Sequence, residues 1–291
     1  IMMMVMIIML IPAAQVSAQR INDVLDTKLS LHEGTKSSAP EVGTVEFRDV
    51  SFRYPSSGKD VLQHISFTAK RGETVAFIGA TGSGKTTLVS LIARFYDATS
   101  GQVLVDGQDV KEYTFDALYN RIGYVTQKAI LFSGDIRENV LFHESRSKGT
   151  DGDVQQALEL AQATEFMEKL PGGIKAPISE GGSNVSGGQK QRISIARALA
   201  RNPEILVFDD SFSALDYRTD AKPRAGLEKN LSNTTRLIVA QRIGTIRHAD
   251  KIIVLDEGRA VGIGTHDELM KNCRVYQEIA KSQLSKEELG A

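Results

Sequence analysis

Gly79-Ala80-Thr81-Gly82-Ser83-Gly84-Lys85-Thr86-Thr87 decides the fold. Gly79 to Thr86 fits the phosphate-binding loop pattern G-x-x-x-x-G-K-[ST]. Before it, Thr74 to Ile78 (TVAFI) is a short apolar run that reads as a buried strand. After it, Leu88 to Phe95 (LVSLIARF) carries apolar residues at helical spacing. The loop therefore lies between a strand and a helix start, where backbone N–H groups and the helix dipole favour an anion. Glycines at 79, 82 and 84 let the backbone wrap phosphates closely. Thr81, Gly82, Ser83, Gly84, Lys85, Thr86 and Thr87 are the candidate nucleotide-phosphate contacts, with Lys85 reaching the β- and γ-phosphates and the Thr86 hydroxyl ligating Mg²⁺.

A second strand candidate, Ile205-Leu206-Val207-Phe208, ends in Asp209-Asp210. Ligands of open α/β sheets gather at the carboxyl ends of strands. A carboxylate there can hold Mg²⁺ beside the loop hydroxyl, so Asp209 joins Thr86 as a candidate metal ligand. Asn184-Val185-Ser186-Gly187-Gly188-Gln189 directly precedes a helix expected over Gly188 to Ala200, with Ile193, Ala196, Leu199 and Ala200 on one stripe. It is another anion-ready helix start, too far along the chain to belong to the same loop.

Further strands are expected at Thr44–Phe52, Val61–Thr68, Gly101–Asp106, Arg121–Thr126, Arg236–Ala240 and Lys251–Leu255. A helix is expected over Asp153–Phe166, and Thr265-His266-Asp267-Glu268 reads as a capping box. Strands alternating with helices imply an α/β domain with a largely parallel sheet. His64, His143, His248 and His266 show no metal-ligand spacing.

Taken together, these motifs closely resemble the nucleotide-binding domain of an ATP-binding cassette (ABC) transporter, over about Val42 to Leu284. The resemblance implies a P-loop ATPase domain with a mainly parallel core sheet, an antiparallel β subdomain and a helical subdomain at about 128–202. It implies ATP and Mg²⁺ as cofactors. Tyr54 is similar to the aromatic that stacks on adenine, and Gln127 to the residue that reaches Mg²⁺ and the membrane domains. Ser186, Gly187, Gly188 and Gln189 resemble the signature motif, and Ser213-Ala214-Leu215-Asp216 the loop that follows the metal carboxylate. Ile130-Leu131-Phe132-Ser133-Gly134 and Glu180-Gly181-Gly182 look exporter-like. In this family two such domains stack head to tail, each ATP lying between one phosphate loop and the other signature. Lys85 and Ser186 are then expected to serve different nucleotides.

Two departures stand at one site. The family normally has Glu after the Mg²⁺ aspartate, to polarise the attacking water; here it is Asp210. The family normally has His where this chain has Gln241. Asp is one methylene shorter, and a misplacement of more than about 1 Å can cost roughly 10²-fold in rate. Gln can donate a hydrogen bond to a phosphate but is more flexible and carries no proton. Asp210, Gln241 and Gln127 are the candidate catalytic residues, and this chain's own site is expected to bind ATP and hydrolyse it slowly. Its intact signature is expected to complete the site of a second half-transporter, as in the degenerate half of a heterodimeric bacterial exporter; a homodimer with two weak sites is the rival. Pro223 is expected either to kink the helix expected after the 213–216 loop or to delay its start.

Ile1 to Ile11 (IMMMVMIIMLI) is apolar and is followed by Pro12. Eleven helical residues rise only about 16 Å, roughly half a bilayer core. A signal peptide lacks its basic n-region here, although Val16-Ser17-Ala18 looks faintly like a cleavage site. A buried soluble helix is a second possibility. The favoured expectation is the cut end of a transmembrane helix, because the chain starts with Ile rather than Met. Residues 1–25 then resemble the last membrane helix and its extension, 26–43 a linker, 44–284 the nucleotide-binding domain and 285–291 a tail. The expected location is the cell membrane, with the domain facing the cytoplasm.

Among 291 residues, 35 Lys and Arg nearly balance 36 Asp and Glu, so no basic excess points to nucleic acid as a partner. Cys273 is the only cysteine, which excludes a disulfide framework and a cysteine metal cluster. A soluble non-transport ABC ATPase would carry a second cassette or a long coiled-coil insertion, and neither is evident. A GTPase switch would carry an Asn-Lys-x-Asp stretch, which is missing. A regulatory ATP-binding module remains the non-enzymatic alternative.

Overall fold

The computed structural model describes residues 2–142, 149–211 and 231–283. Two units divide the chain, Ile1–His32 and Glu33–Ala291, and each is described by itself. The first holds helix α1, Met2–Leu25. It continues through Pro12, although proline lacks the N–H that an interior turn uses. Among the described residues no helix is long and apolar enough to cross a membrane.

The second unit is built on a six-stranded sheet in the order β12-β11-β3-β10-β9-β6. These strands are β3 Thr74–Gly79, β6 Ile122–Val125, β9 Ile205–Asp209, β10 Thr235–Val239, β11 Lys251–Asp256 and β12 Arg259–Gly264. Every neighbouring pair is parallel except β11–β12. All five residues of β9 are buried, as are the four central residues of β3 and β11. Strands covered on both faces read as continuous apolar runs, which is why these segments were legible without alternation. The edge strand β12 alternates between exposed and half-buried residues.

Successive residues of each central strand point to opposite faces and feed different cores. Ala76, Ile78, Leu206, Phe208, Ile238, Ile252 and Val254 pack with the helical part of the molecule. Val75, Phe77, Ile205, Val207, Leu237, Val239, Ile253 and Leu255 pack with helix α2, Lys85–Ile92, and with a second sheet. Each such Val, Leu, Ile or Phe side chain contributes roughly 1.5–3 kcal/mol on burial. That second sheet is antiparallel, in the order β2-β1-β4-β5, with β1 Val45–Phe52, β2 Leu62–Ala69, β4 Ser100–Val105 and β5 Gln108–Asp109.

The helical part holds α4 Ile136–Val140, α5 Asp151–Leu160, α6 Thr164–Glu168 and α7 Gly187–Leu199; α3, Phe115–Arg121, leads into β6. A two-stranded ribbon of β7 Gly134–Asp135 and β8 Pro177–Ile178 closes it. The single helix expected over 153–166 is two helices. The chain turns at Gln162, whose φ is +55°, and Ala163 N–H bonds to Leu158 O at 2.8 Å. Val154, Ala157, Leu158 and Ala161 are buried nonetheless, so the apolar spacing reported the buried face and not the break. The capping box at Thr265 is present, its hydroxyl accepting from Glu268 N–H.

Within the stretch read as a linker, residues 34–41 are hydrogen bonded to the second unit's body. Gly34 N–H bonds to Tyr113 O at 2.9 Å, Lys36 N–H to Glu112 O at 2.8 Å and Glu41 N–H to Asp106 O at 3.1 Å. A linker composition marks the absence of an apolar pattern; backbone pairing needs none.

Candidate nucleotide-binding site

The parallel sheet places the carboxyl ends of β3, β10, β9 and β6 side by side. Val239 pairs with both Phe77 and Asp209, and Val125 pairs with Phe208, so the loops leaving these strands start at one level. From those loops come the 79–87 segment, Gln241, Asp209-Asp210 and Gln127. A cleft of about 320 Å³ opens there, lined by Thr81, Gly82, Gly84, Lys85, Thr86, Thr87, Gln127, Asp210 and Gln241, with Val61 and Val239 at its sides.

Two glycines shape the loop for steric reasons. A Cβ on Gly79 would stand 2.1 Å from Leu255 O and 2.7 Å from Ser83 Oγ, so only glycine fits against β11. Gly84 has φ +99° and begins α2 without a side-chain cap, which leaves the first N–H groups of the helix for a ligand. Lys85 closes the loop on itself: its Nζ donates to Gly79 O at 2.9 Å and to Ala80 O at 2.8 Å. Lys85 is only 9% exposed, and burial lowers its ammonium pKa against the opposing pull of Asp210 and Asp209. Ser83 lies beneath the loop, with its Oγ 3.4 Å from Lys85 Nζ, and does not line the cleft.

Thr86 and Asp209 meet as the loop motif requires. Thr86 Oγ1 donates to Asp209 Oδ1 at 2.8 Å. Tyr124 Oη donates to Asp209 Oδ2 at 3.3 Å. Asp209 is 5% exposed, and burial raises its pKa while these two donors lower it. A hydroxyl and a carboxylate are hard oxygen donors of the kind Mg²⁺ accepts. Among the described residues no group of three or more His, Cys, Asp or Glu could hold a metal. The pair therefore fits a cation that draws its remaining ligands from water and from nucleotide phosphates, the usual mode for Mg²⁺.

Asp210 is arranged differently. It leaves the strand with φ +51°, its N–H bonded to Val239 O at 3.1 Å. Two amides converge on one carboxylate oxygen: Gln127 Nε2 at 2.9 Å and Gln241 Nε2 at 2.5 Å, both to Asp210 Oδ2. Gln127 is steadied from the helical part, where Gln191 Nε2 donates to the carbonyl of the adjacent Thr126 at 3.2 Å.

Tyr54 stands beside the cleft rather than in its lining. Its hydroxyl shares a 3.0 Å hydrogen bond with Thr87 Oγ1, and Phe52 and Tyr96 meet its ring at near-perpendicular angles, with centroids 4.8 and 5.1 Å away. Ser186 to Gln189 lies outside the lining. Ser186 caps α7 in a reciprocal box: its Oγ accepts from Gln189 N–H at 3.3 Å, and its N–H donates to Gln189 Oε1 at 2.8 Å. Ser186, Gly187 and Gly188 are exposed and Gln189 is half-buried. Residues 213–216, His143 and Pro223 lie outside the described residues.

The sequence reading missed Tyr124, Tyr96 and Gln191. Tyr124 is three residues before Gln127 on a strand already recognised, but only the strand order β9-β6 brings it to Asp209.

Residues 62–213, just over half of the chain, match the family model described as ABC transporter. A Mycobacterium tuberculosis protein described as an uncharacterized ABC transporter ATP-binding protein is 44% identical over 287 residues, covering 97% of this chain and 49% of its own length. A Bacillus subtilis protein described as a probable multidrug resistance ABC transporter ATP-binding/permease protein is 43% identical over 257 residues, covering 88% of this chain and 38% of its own length. A solved structure of a bacterial Atm1-family ABC exporter with ATP bound superposes with a TM-score of 0.83 at 32% identity, over 95% of this chain and 48% of that one. The chain thus spans about half the length, or less, of these relatives. With the phosphate loop, the strand-end aspartates and the two-sheet architecture in place, this chain belongs to the ABC transporter family.

Proposed function

We propose that the chain is the ATP-binding and ATPase part of an ABC exporter, working at the cell membrane with this domain facing the cytoplasm. The observation that carries this reading is the convergence of Lys85, Thr86, Asp209, Asp210, Gln127 and Gln241 at one sheet edge. ATP with Mg²⁺, when bound, supplies the phosphoryl group passed to water and the charge that offsets its oxygens. On the protein side, the N–H groups at the start of α2 and the Lys85 ammonium would hold the phosphates. Thr86, Asp209 and Gln127 would hold the cation, and Tyr54 would stack on the base.

Asp210 is the group in place to orient and deprotonate the attacking water. With a carboxylate one methylene shorter than Glu, and Oδ2 already taken by two amides, it is a poor base at this distance. Gln241 can donate a hydrogen bond but cannot carry a proton. The chain's own site is therefore a slow one. Ser186 to Gln189, outside this cleft and at a helix start where Ser186, Gly187 and Gly188 are exposed, serves the ATP held by a second half-transporter with the usual Glu and His, and the two form a heterodimer.

The test is ATPase rate for the full chain alone and mixed with such a partner. The chain alone turns over slowly, and the mixture is fast. In the mixture, Ser186→Ala in this chain lowers the rate and Asp210→Asn does not. Fast turnover by the chain alone, or loss of the mixture's activity with Asp210→Asn, contradicts the reading.

A further inference from the structure

We propose that Tyr124 is a positioning residue that fixes the Asp209 carboxylate for its cation, an inference that rests on the nucleotide-site reading above. Thr86 occupies Oδ1 at 2.8 Å and Tyr124 occupies Oδ2 at 3.3 Å. Each carboxylate oxygen has two lone pairs, so one on each stays available to a metal or its water. With a donor on both oxygens, rotation of the carboxylate about its last torsion is opposed from two elements, α2 and β6. That torsion is intrinsically soft, so without such partners it would be broadly distributed.

Tyr124 suits this role because its hydroxyl rides on a rigid ring. The ring itself is held: Tyr124 pairs with Val207 across the β6–β9 ladder, and Phe95 leans on it at 5.2 Å between centroids. Phe95 is 47% exposed and follows shortly after α2, the helix that carries Lys85 and Thr86 at its other end. Helix α2 thus supplies one donor to Asp209 directly, and the segment just after it braces the ring that supplies the other. Ring packing alone needs no hydroxyl; the bond to a 5% exposed carboxylate does.

The experiment titrates the full chain with MgCl₂ in the presence of a ribose-labelled fluorescent ATP, and repeats the nucleotide titration in EDTA. In Tyr124→Phe the Mg²⁺ concentration for half-maximal binding rises about tenfold, the scale on which partners of metal ligands act. Affinity in EDTA stays at the wild-type value. Phe95→Leu keeps the hydroxyl and removes only the brace, so it moves the Mg²⁺ curve the same way by less and keeps the test open if Tyr124→Phe lowers the melting temperature. An unchanged Mg²⁺ curve in both variants overturns the proposal, and so does an equal loss of affinity with and without Mg²⁺. A wild-type chain that binds no nucleotide overturns the parent reading as well, which separates the two failures.

Discussion

Asp209 and Asp210 are neighbours in the chain and opposites in the cleft. Asp209 ends a fully buried strand, is 5% exposed, and takes hydroxyl donors on both oxygens from Thr86 and Tyr124. Asp210 has already turned out of the strand at φ +51° and carries two flexible amides on one oxygen. On the function proposed above, the contrast separates holding from reacting. The phosphate and cation end is rigid, built from a strand, a helix start and a loop in which a Cβ on Gly79 would collide with β11. The reacting end is built from two long amides and one short carboxylate on three different loops. Such a site can retain its ligand and still lack the geometry for turnover.

The largest expected effect lies at the holding end. Lys85→Ala removes an ammonium that lines the cleft and ties the loop carbonyls of Gly79 and Ala80, and hydrogen bonds to charged groups contribute roughly 1.5–3 kcal/mol each. Fluorescent-nucleotide titration should show an affinity loss of about 100-fold. Equal affinity in wild type and variant would break the contrast at its root.

At the reacting end, Asp210→Glu combined with Gln241→His should raise the ATPase rate of the chain's own site by about 10–100-fold, the scale of a carboxylate moved by one methylene. Phosphate release is the measurement, and nucleotide affinity should change little. A rate unchanged by the double substitution would mean that turnover is limited elsewhere.

Ser186 provides a check outside both ends. Ser186→Ala loses the cap of α7 and should lower stability by about 1 kcal/mol in chemical denaturation. It should leave nucleotide affinity of the chain's own cleft unaltered, because Ser186 does not line it.

The other buried carboxylate among the described residues, Asp106, gives an effect confined to stability. Asp106 is fully buried against Arg121, whose Nη1 lies 3.1 Å from Oδ2, and burial lifts its pKa to about 7 from 3.8. Its folded-state pKa is raised, so between about pH 4 and 7 the folded chain binds more protons than the unfolded one. Its contribution to stability is greatest at the acid end of that window and is lost as pH rises through it. Asp106→Asn should flatten the stability-against-pH curve between those limits while leaving nucleotide affinity unchanged. Melting temperatures across that range check it.

What was legible in the sequence follows from what is contiguous in it. Residues 79–87 and the strand ending at Asp209 each state their role within ten positions, because a buried strand must be apolar and a phosphate loop must be glycine-rich. The capping box at Thr265 and the helix start at Ser186 are likewise local. The amide pair on Asp210 was not legible: Gln127, Asp210 and Gln241 meet only because β6, β9 and β10 are adjacent, an order that the chain's sequence does not spell out. Tyr124 was hidden for the same reason. The turn at Gln162 was hidden for another: apolar spacing continues across it while the backbone does not.

The most direct measurement follows the fate of ATP on the full chain. After incubation with Mg²⁺ and α-labelled ATP, the protein is separated from free nucleotide and its bound ATP and ADP are quantified. Slow chemistry at a competent binding site leaves mostly ATP on the wild-type chain and almost none on Lys85→Ala. Rapid conversion to ADP by the chain alone, abolished by Asp210→Asn, would contradict it.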